Sequence, residues 1–279
     1  MEGKESNMDN VKRDIINTKS LLNNKYSSIY DKIYFRTNED LEALLDVFNI
    51  EGKEVLSVIG SGDQAFHFFS RGAKSIDLFD INKLTIHYYY LRVWLIKYMN
   101  KYYPTGFVST YIEDLLKKVK PRTKEEQESY LYWNMFIKEI SKEKIIDLFC
   151  RSTLNNTKKY PGDIKELQYI LEKKDCNFYN IDISEQITTI PKKYDVVYTS
   201  NIRDWIKMRN RSFKKYNENL YNLLKDDGVV LCSNVTTEGP SATERLIFDS
   251  NFKYEELPEK ETISLYKFKT PGYIYIKKE

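Results

Sequence analysis

An apolar run that breaks at two closely spaced glycines is the feature that most constrains the fold of this chain. Residues 54–59 are followed by Gly60-Ser61-Gly62-Asp63-Gln64. Glycine is needed where the backbone turns tightly or lies against a ligand, and the 279 residues contain only 10 glycines. Helical spacing resumes at once, so the free N–H groups at the start of a helix are expected to face this turn. The stretch therefore predicts the nucleotide-binding end of an α/β domain.

A second apolar strand and an acid follow at the distance expected for one strand–helix–strand unit. Residues 75–79 have the composition of a strand and lead into Asp80, Ile81 and Asn82. Asn82 is suited to cap a long helix, because apolar residues continue beyond it at a spacing of three and four. An acid at the position of Asp80 is suited to hold the hydroxyls of a ribose. We therefore predict that Asp80 binds the ribose of a nucleotide.

The composition argues against several classes of partner. The chain has 44 basic and 41 acidic residues, a net charge of +3 that gives no electrostatic reason to expect a nucleic-acid or membrane surface. The basic run between Lys207 and Lys215 is interpreted as a solvated helix face, with an RNA-binding role as the alternative. No His, Cys or Glu spacing resembles a metal site. Three widely spaced cysteines, a polar first segment and no long apolar window predict a cytoplasmic protein without a membrane span.

The remaining pattern predicts one α/β domain with helical additions. Residues 1–50 are expected to form an N-terminal helical cap, in which Thr37 or Asn38 begins a helix, and residues 51–279 a Rossmann-like domain. Residues from about 105 to 172 exceed the length of one crossover and predict a helical insertion. Further elements are expected as strands at 177–182, 194–198 and 229–233, a helix opening at Ser241, and an antiparallel pair at 262–268 and 273–277.

The glycine motif alone does not identify the nucleotide that binds. It fits the fingerprint of NAD-binding domains, and the same layout serves S-adenosylmethionine (SAM); an ordinary tight turn is a third interpretation. An antiparallel pair at the end of the sheet favours SAM, because class I SAM-dependent transferases end their sheet in this way. A dehydrogenase instead needs a second mononucleotide-binding half. Tyr221 and Lys225 have the spacing of a short-chain dehydrogenase pair, but they precede the fifth strand, and chance explains them in a chain with 23 tyrosines.

Several short motifs carry a family resemblance. The stretches Ser57–Gln64, Asp80–Asn82 and Leu91-Arg92 resemble the pattern Ser-x-x-Ser-Gly-Gly-Asp-Asn, Asp-x-Asn and Leu-Lys. This is the pattern of a bacterial family of SAM-binding proteins that includes the SAM:diacylglycerol 3-amino-3-carboxypropyltransferases of betaine-lipid synthesis. The segments Tyr34–Glu39 and Ser200–Trp205 also resemble motifs of that family, and the resemblance covers roughly residues 30 to 235.

This sequence departs from the family pattern at several positions. Gly60 and Ser61 are exchanged, and Gln64, Thr85 and Arg92 stand where the family has Asn, Gln and Lys. Ser57 also stands where common methyltransferases place an acid. The exchanges near the glycines are conservative for cofactor binding, whereas the others weaken any transfer of the lipid substrate.

Taken together, the strand pattern and the resemblance imply a three-layer α/β/α, class I methyltransferase-like fold with a SAM pocket. The residues expected to bind SAM are Thr37, Glu39, Gly60, Ser61, Gly62, Asp63, Gln64, Asp80, Ile81, Asn82, Asp182, Ile183, Ser200 and Asn201. Asp63 is a candidate acceptor for the methionine ammonium, or else an acid that stabilises a helix N-terminus. Asp182 is a candidate partner of the adenine amino group, or else a turn residue.

The predicted function is a SAM-dependent transferase that moves a methyl or a 3-amino-3-carboxypropyl group to a small-molecule or lipid acceptor. Because the sulfonium is already an activated electrophile, the protein mainly has to position the acceptor and exclude water. Tyr34 and Asp204 are candidate bases for an acceptor that is protonated at working pH. Two alternatives stay open, an NAD-binding oxidoreductase and a SAM-binding protein without catalysis.

Overall fold

A single sheet of seven strands organises the part of the chain that the computed structural model describes, namely residues 7–24, 32–103, 108–150, 161–185, 190–234, 240–241, 248–260 and 269–278. The strands are β1 (Glu54–Val58), β2 (Ser75–Asp80), β3 (Phe178–Asn180), β4 (Tyr194–Tyr198), β5 (Leu224–Ser233), β6 (Phe252–Glu256) and β7 (Gly272–Lys277). They lie in the order β3-β2-β1-β4-β5-β7-β6. The first five are parallel, and β7 runs antiparallel to β5 and β6. This order, with its antiparallel seventh strand, confirms the predicted class I methyltransferase-like fold.

Helices cover both faces of the sheet. Their bounds are α1 (Asn7–Asn23), α2 (Leu41–Val47), α3 (Asp63–Ser70), α4 (Lys83–Met99), α5 (Val108–Lys118), α6 (Lys124–Glu139), α7 (Ile164–Lys173), α8 (Ile202–Met208) and α9 (Phe213–Leu223), with a 3-10 helix at Lys142–Leu148. The helices α5, α6 and α7 occupy the stretch between α4 and β3. Asn82 caps α4 as expected, because its Oδ1 accepts a hydrogen bond from the Leu84 N–H at 3.1 Å. In the described part of the chain no helix is long and apolar enough to cross a membrane.

Side chains of the parallel strands alternate between two hydrophobic cores. Val55 and Val196 point into a core shared with α3, α4, the insertion and α1. Leu56 and Val197 point into the opposite core, which α8 and α9 cover. Strands buried on both faces must be apolar throughout, which accounts for the continuous apolar runs of the sequence. The three layers therefore share the sheet as a common centre, and the first fifty residues contribute to one of its two cores.

The strand order places a crevice between β1 and β4. From β1 the chain moves outward to β2 and β3, and it then returns to the other side of β1 to add β4 and β5. At such a reversal, the loops after neighbouring strands turn to opposite faces and leave a space at the carboxyl ends. The loop after β1 is the glycine turn, so the fold brings that turn to the position where ligands bind.

Local expectations differ from the structure at two places. The helix expected to begin at Thr37 or Asn38 begins after Asp40, whose carboxylate accepts a hydrogen bond from the Ala43 N–H at 3.1 Å. The strand that pairs with β7 is β6, which lies before the predicted strand at 262–268. That stretch and the helix predicted to follow Ser241 lie outside the described residues.

Candidate functional site

A cleft at the carboxyl ends of β1, β2 and β4 gathers most of the predicted site residues. It holds about 1010 Å3 of empty space, part of which is open to solvent. The predicted cofactor-binding residues that line it are Thr37, Glu39, Gly60, Ser61, Gln64, Asp80, Ile81, Asn82, Asp182, Ile183, Ser200 and Asn201. Tyr34 lines it as well, whereas Gly62, Asp63 and Asp204 do not.

Both glycines of the turn adopt backbone conformations that other residues rarely take. Gly60 has φ +53° and Gly62 has φ +85°. A Cβ on Gly60 would lie 3.1 Å from Nε2 of Gln64, and a Cβ on Gly62 would lie 3.1 Å from the ring of Tyr89. Gly60 therefore lets the backbone lie against the cleft, while Gly62 allows α3 to begin against a packed aromatic ring.

Asp80 presents a carboxylate to the cleft. It accepts hydrogen bonds from the backbone N–H groups of Gly60 at 3.2 Å and Asn82 at 2.9 Å. Burial raises the pKa of Asp80 to about 6, against the opposing effect of hydrogen bonds from the Asn82 and Gly60 N–H groups, the Thr85 side chain and the Ile81 N–H. The carboxylate is thus ionised at neutral pH and suited to accept from a pair of hydroxyls.

The structure corrects the expectation for Asp63, which lies outside the cleft with its hydrogen-bonding capacity filled by the protein. Its Oδ1 accepts from Arg92 Nη2 and from the Tyr103 hydroxyl, both at 2.8 Å. Its Oδ2 accepts from the Thr37 N–H and the Ser61 hydroxyl, both at 2.7 Å. Burial favours the neutral acid, but the Arg92 charge and these donors outweigh it and hold the pKa of Asp63 below its usual range. No lone pair remains for an ammonium, so Asp63 anchors the glycine turn to Thr37 instead.

Arg92 is the partner that the sequence interpretation overlooked. The side chain is fully buried in α4 and also donates to the carbonyl oxygens of Ser61 at 2.7 Å and Tyr102 at 3.0 Å. The sequence does contain a signal for a buried ion pair at this position. Arg92 is the one charged residue in the stretch 86–96, whose other residues are apolar or aromatic except for one histidine. A buried arginine requires a buried acid, because an unpaired charge in a protein interior is strongly unfavourable. The structure identifies that acid as Asp63.

A second network surrounds the buried carboxylate of Glu39 in the cleft wall. Glu39 is 1% exposed and accepts from Gln64 Nε2 at 2.8 Å, from Thr37 Oγ1 at 2.9 Å and from the Ser200 hydroxyl. Ser200 has φ +55°, a left-handed conformation that costs energy for a residue with a Cβ. This residue follows the end of β4, and its hydroxyl donates to the Glu39 carboxylate.

One atom of this network lacks a partner. Gln64 is 3% exposed, and its Oε1 has no hydrogen-bond partner within the described residues, although its Nε2 donates to Glu39. A buried carbonyl without a donor costs roughly 1–3 kcal/mol. Because Gln64 lines the cleft, a ligand with an N–H donor would remove this cost. The same wall therefore offers an unpaired acceptor beside a negative charge.

The other predicted residues take different positions. Asp182 lines the cleft, and its Oδ1 accepts from the Ser184 N–H at 2.9 Å and the Ser184 hydroxyl at 2.6 Å, which leaves Oδ2 within 3.7 Å of Arg211. Asp204 lies outside the lining with Oδ1 3.6 Å from Nε of Arg203. Of the two candidate bases, only Tyr34 therefore reaches the cleft.

The rim of the cleft contains residues that the sequence interpretation assigned elsewhere or did not consider. Lys32 lines it, as do Arg209 and Arg211 from the basic run interpreted as a solvated face. Trp205 also lines the cleft, and the Arg209 guanidinium lies 5.6 Å from the centre of its ring. Arg211 pairs with Glu185. No group of three His, Cys, Asp or Glu side chains suited to a metal ion occurs in the described ranges.

Comparisons with known proteins give structural neighbours at very low sequence identity. No model of a known protein family matches the sequence, and no curated protein does either. A TehB-like SAM-dependent methyltransferase from Corynebacterium glutamicum aligns over 98% of this chain and 98% of its own, with 10% identity and a TM-score of 0.43. The N-methyltransferase NodS from Bradyrhizobium japonicum aligns over 86% of this chain and 92% of its own, with 8% identity and a TM-score of 0.40. The glycopeptide N-methyltransferase MtfA aligns over 88% and 92%, with 9% identity and a TM-score of 0.45.

Proposed function

We propose that the protein binds SAM in the cleft and transfers a carbon group from its sulfonium to an acceptor. The observation that carries the proposal is the pair of acceptors on either side of Gly60. Its N–H donates to the Asp80 carboxylate, and its Cα faces the Gln64 amide, where the unpaired Oε1 lies next to Glu39. One side of Gly60 therefore offers an acceptor for a pair of hydroxyls and the other side an acceptor for an ammonium. These acceptors match the ribose and the methionine amino group of SAM, whereas NAD has no ammonium to place there.

The cleft residues divide naturally among the parts of SAM. Asp80 accepts from the two ribose hydroxyls in addition to the Gly60 and Asn82 N–H groups. Ile81 and Ile183 enclose the adenine, and Asp182 accepts from its amino group. Gln64 Oε1 accepts from the methionine ammonium, whose charge Glu39 balances. Thr37 and Ser200 hold Glu39 in place through their hydroxyls.

The protein's part in the reaction is then mainly positioning. SAM, when bound, supplies a carbon that is already activated for attack by a nucleophile. The glycine turn and the Glu39 network fix the methionine end, and the apolar side chains around the rim exclude water from the reacting atoms. For an acceptor that is protonated at working pH, we propose Tyr34 rather than Asp204 as the proton acceptor, because only Tyr34 lines the cleft.

Replacing Gln64 with leucine is expected to weaken SAM binding about 10- to 100-fold, because the ammonium then loses a charge-assisted hydrogen bond. Methylthioadenosine, which lacks the amino-acid part of SAM, is the matched ligand and should bind equally to the variant and the unaltered chain. Isothermal titration calorimetry measures both affinities. An equal loss of affinity for the two ligands would contradict the role of Gln64 and indicate a general disturbance of the turn.

The identity of the product tests the transfer itself. The protein is incubated with SAM and fractionated cell extracts as sources of acceptor, and the nucleoside product is identified by mass spectrometry. Methyl transfer releases S-adenosylhomocysteine, whereas aminocarboxypropyl transfer releases methylthioadenosine. The class I fold fits both reactions, and the family resemblance favours the second. SAM binding without turnover in any fraction would instead indicate a SAM-binding protein without catalysis.

A further inference from the structure

The charges that line the cleft are separated between its inner wall and its rim. Glu39, Asp80 and Asp182 are the lining carboxylates, and the proposed function assigns all three to SAM. Lys32, Arg209 and Arg211 are the lining cations. The two sets cancel, but SAM adds a sulfonium and an ammonium against a single carboxylate. Bound SAM therefore brings a net charge of one positive unit at neutral pH.

The rim cations differ in whether the protein already neutralises them. Arg211 contacts Glu185 and lies 3.7 Å from Asp182, so its charge is balanced. Lys32 and Arg209 have no carboxylate partner among the residues that the structure describes. SAM offers only one carboxylate, so at least one of these two cations has no carboxylate partner among the described residues after SAM binds. Arg209, at the end of α8, lies at the mouth and also lines a neighbouring groove beside α1.

Apolar surface accompanies these charges. Ile81 is 50% exposed, and it lines both the cleft and the neighbouring groove. Ile202 and Trp205 line the same side of the cleft as Arg209, whose guanidinium lies over the Trp205 ring. An exposed isoleucine and an aromatic ring in one cleft are suited to bury the apolar or flat part of a ligand, while the guanidinium above the ring holds an anionic group.

We propose, on the basis of the proposed function, that the acceptor is an anionic molecule with an apolar or aromatic body, and that Arg209 and Lys32 bind its carboxylate or phosphate group. Such a molecule neutralises the positive charge that SAM brings and places its body over Trp205. A cationic acceptor is disfavoured, because it would meet both the sulfonium and the side-chain cation that SAM leaves without a carboxylate.

Phenyl phosphate and benzyl alcohol are suitable probes, because they share the ring and differ in charge. Each is titrated calorimetrically into the full chain after it has been saturated with SAM, whose own binding is measured first. Phenyl phosphate is expected to bind more tightly than benzyl alcohol and to lose affinity as salt is raised. Arg209→Gln should weaken phenyl phosphate about tenfold or more, since it removes a charge-assisted contact, and leave benzyl alcohol unchanged. Benzoate, titrated in the same way, shows whether a carboxylate serves as well as a phosphate.

Lys207→Gln is the matched control, because Lys207 is an exposed cation of α8 that does not line the cleft. It should change the affinity for phenyl phosphate by less than about twofold, because an exposed charge away from the contact is largely screened. Equal affinity for the two probes would overturn the inference. Equal losses of affinity for phenyl phosphate in Arg209→Gln and Lys207→Gln would also overturn it, and they would indicate diffuse electrostatic attraction of the kind an RNA ligand uses. If SAM binds and the probes are not distinguished, this inference alone fails. If SAM does not bind, the proposed function fails with it.

Discussion

Replacing Arg92 with methionine is expected to lower the free energy of unfolding by about 3–5 kcal/mol, the usual cost of breaking a buried ion pair. The substitution leaves the buried Asp63 carboxylate without its counter-charge and removes the donors to the Ser61 and Tyr102 carbonyl oxygens. Methionine fills similar volume, so the loss reflects charge and hydrogen bonds rather than a cavity. Urea denaturation followed by circular dichroism measures the change.

Arg71→Met is the matched control for this prediction. Arg71 contacts Glu42 and Asp46 at 2.8 Å, but it is about a third exposed. Exposed ion pairs contribute about 0–1 kcal/mol, so this variant should lose no more than that. Comparable losses in the two variants would mean that the Arg92–Asp63 pair does not hold the glycine turn in place.

Replacing Asp80 with alanine is expected to weaken SAM binding by roughly 2–4 kcal/mol, or about 30- to 1000-fold, because two hydroxyls lose charge-assisted hydrogen bonds. Asp80→Asn is the informative companion, since it retains an oxygen for the Gly60 or Asn82 N–H and removes only the charge and one acceptor. Its affinity should lie between those of the unaltered chain and the alanine variant. An unchanged affinity for SAM in the alanine variant would exclude Asp80 as the ribose ligand.

The same carboxylate should set the pH dependence of binding. Since the pKa of Asp80 is about 6 in the free protein, protonation competes with SAM below that pH. The dissociation constant should rise about tenfold for each pH unit below 6, and the slope should disappear in Asp80→Asn. The effect of rising pH on the contribution of Asp80 to folding stability is opposite to its effect on SAM binding. A raised pKa means that Asp80 contributes stability below its ordinary pKa of 3.8, and that this contribution is lost as the pH rises through 6.

The elements that the sequence predicted well are those with strong local signals. The first two strands, the glycine turn and the Asn82 cap each combine a hydrophobic period with a breaker or capping residue. The class of fold followed from the alternation of strands and helices together with the antiparallel end. The start of α2 was predicted less accurately, because several neighbouring polar residues can cap a helix. Asp40 caps α2 instead of Thr37 or Asn38, and the Thr37 side chain is hydrogen-bonded to Glu39.

The candidate site was less predictable because its contacts join distant parts of the chain. The strand ends predicted which acids reach the cleft, and Asp80 and Asp182 lie there as expected. Asp63 was expected to face the ligand, but whether an acid after a glycine turn points outward depends on buried donors elsewhere. Here Arg92 and Tyr103 supply them, from α4 and the segment that follows it. Likewise, the periodicity of α8 marks Arg209 as exposed and does not show that a cleft opens beside it.

Calorimetric titration of the full chain with SAM and with NAD, under the same conditions, tests the central claim most directly. SAM is predicted to bind at one site per chain, with an affinity that falls in Asp80→Ala and in Gln64→Leu, and NAD is predicted to give no saturable heat. Saturable binding of NAD in the absence of SAM binding would contradict the account, since it would mean that the glycine turn and Asp80 hold a dinucleotide.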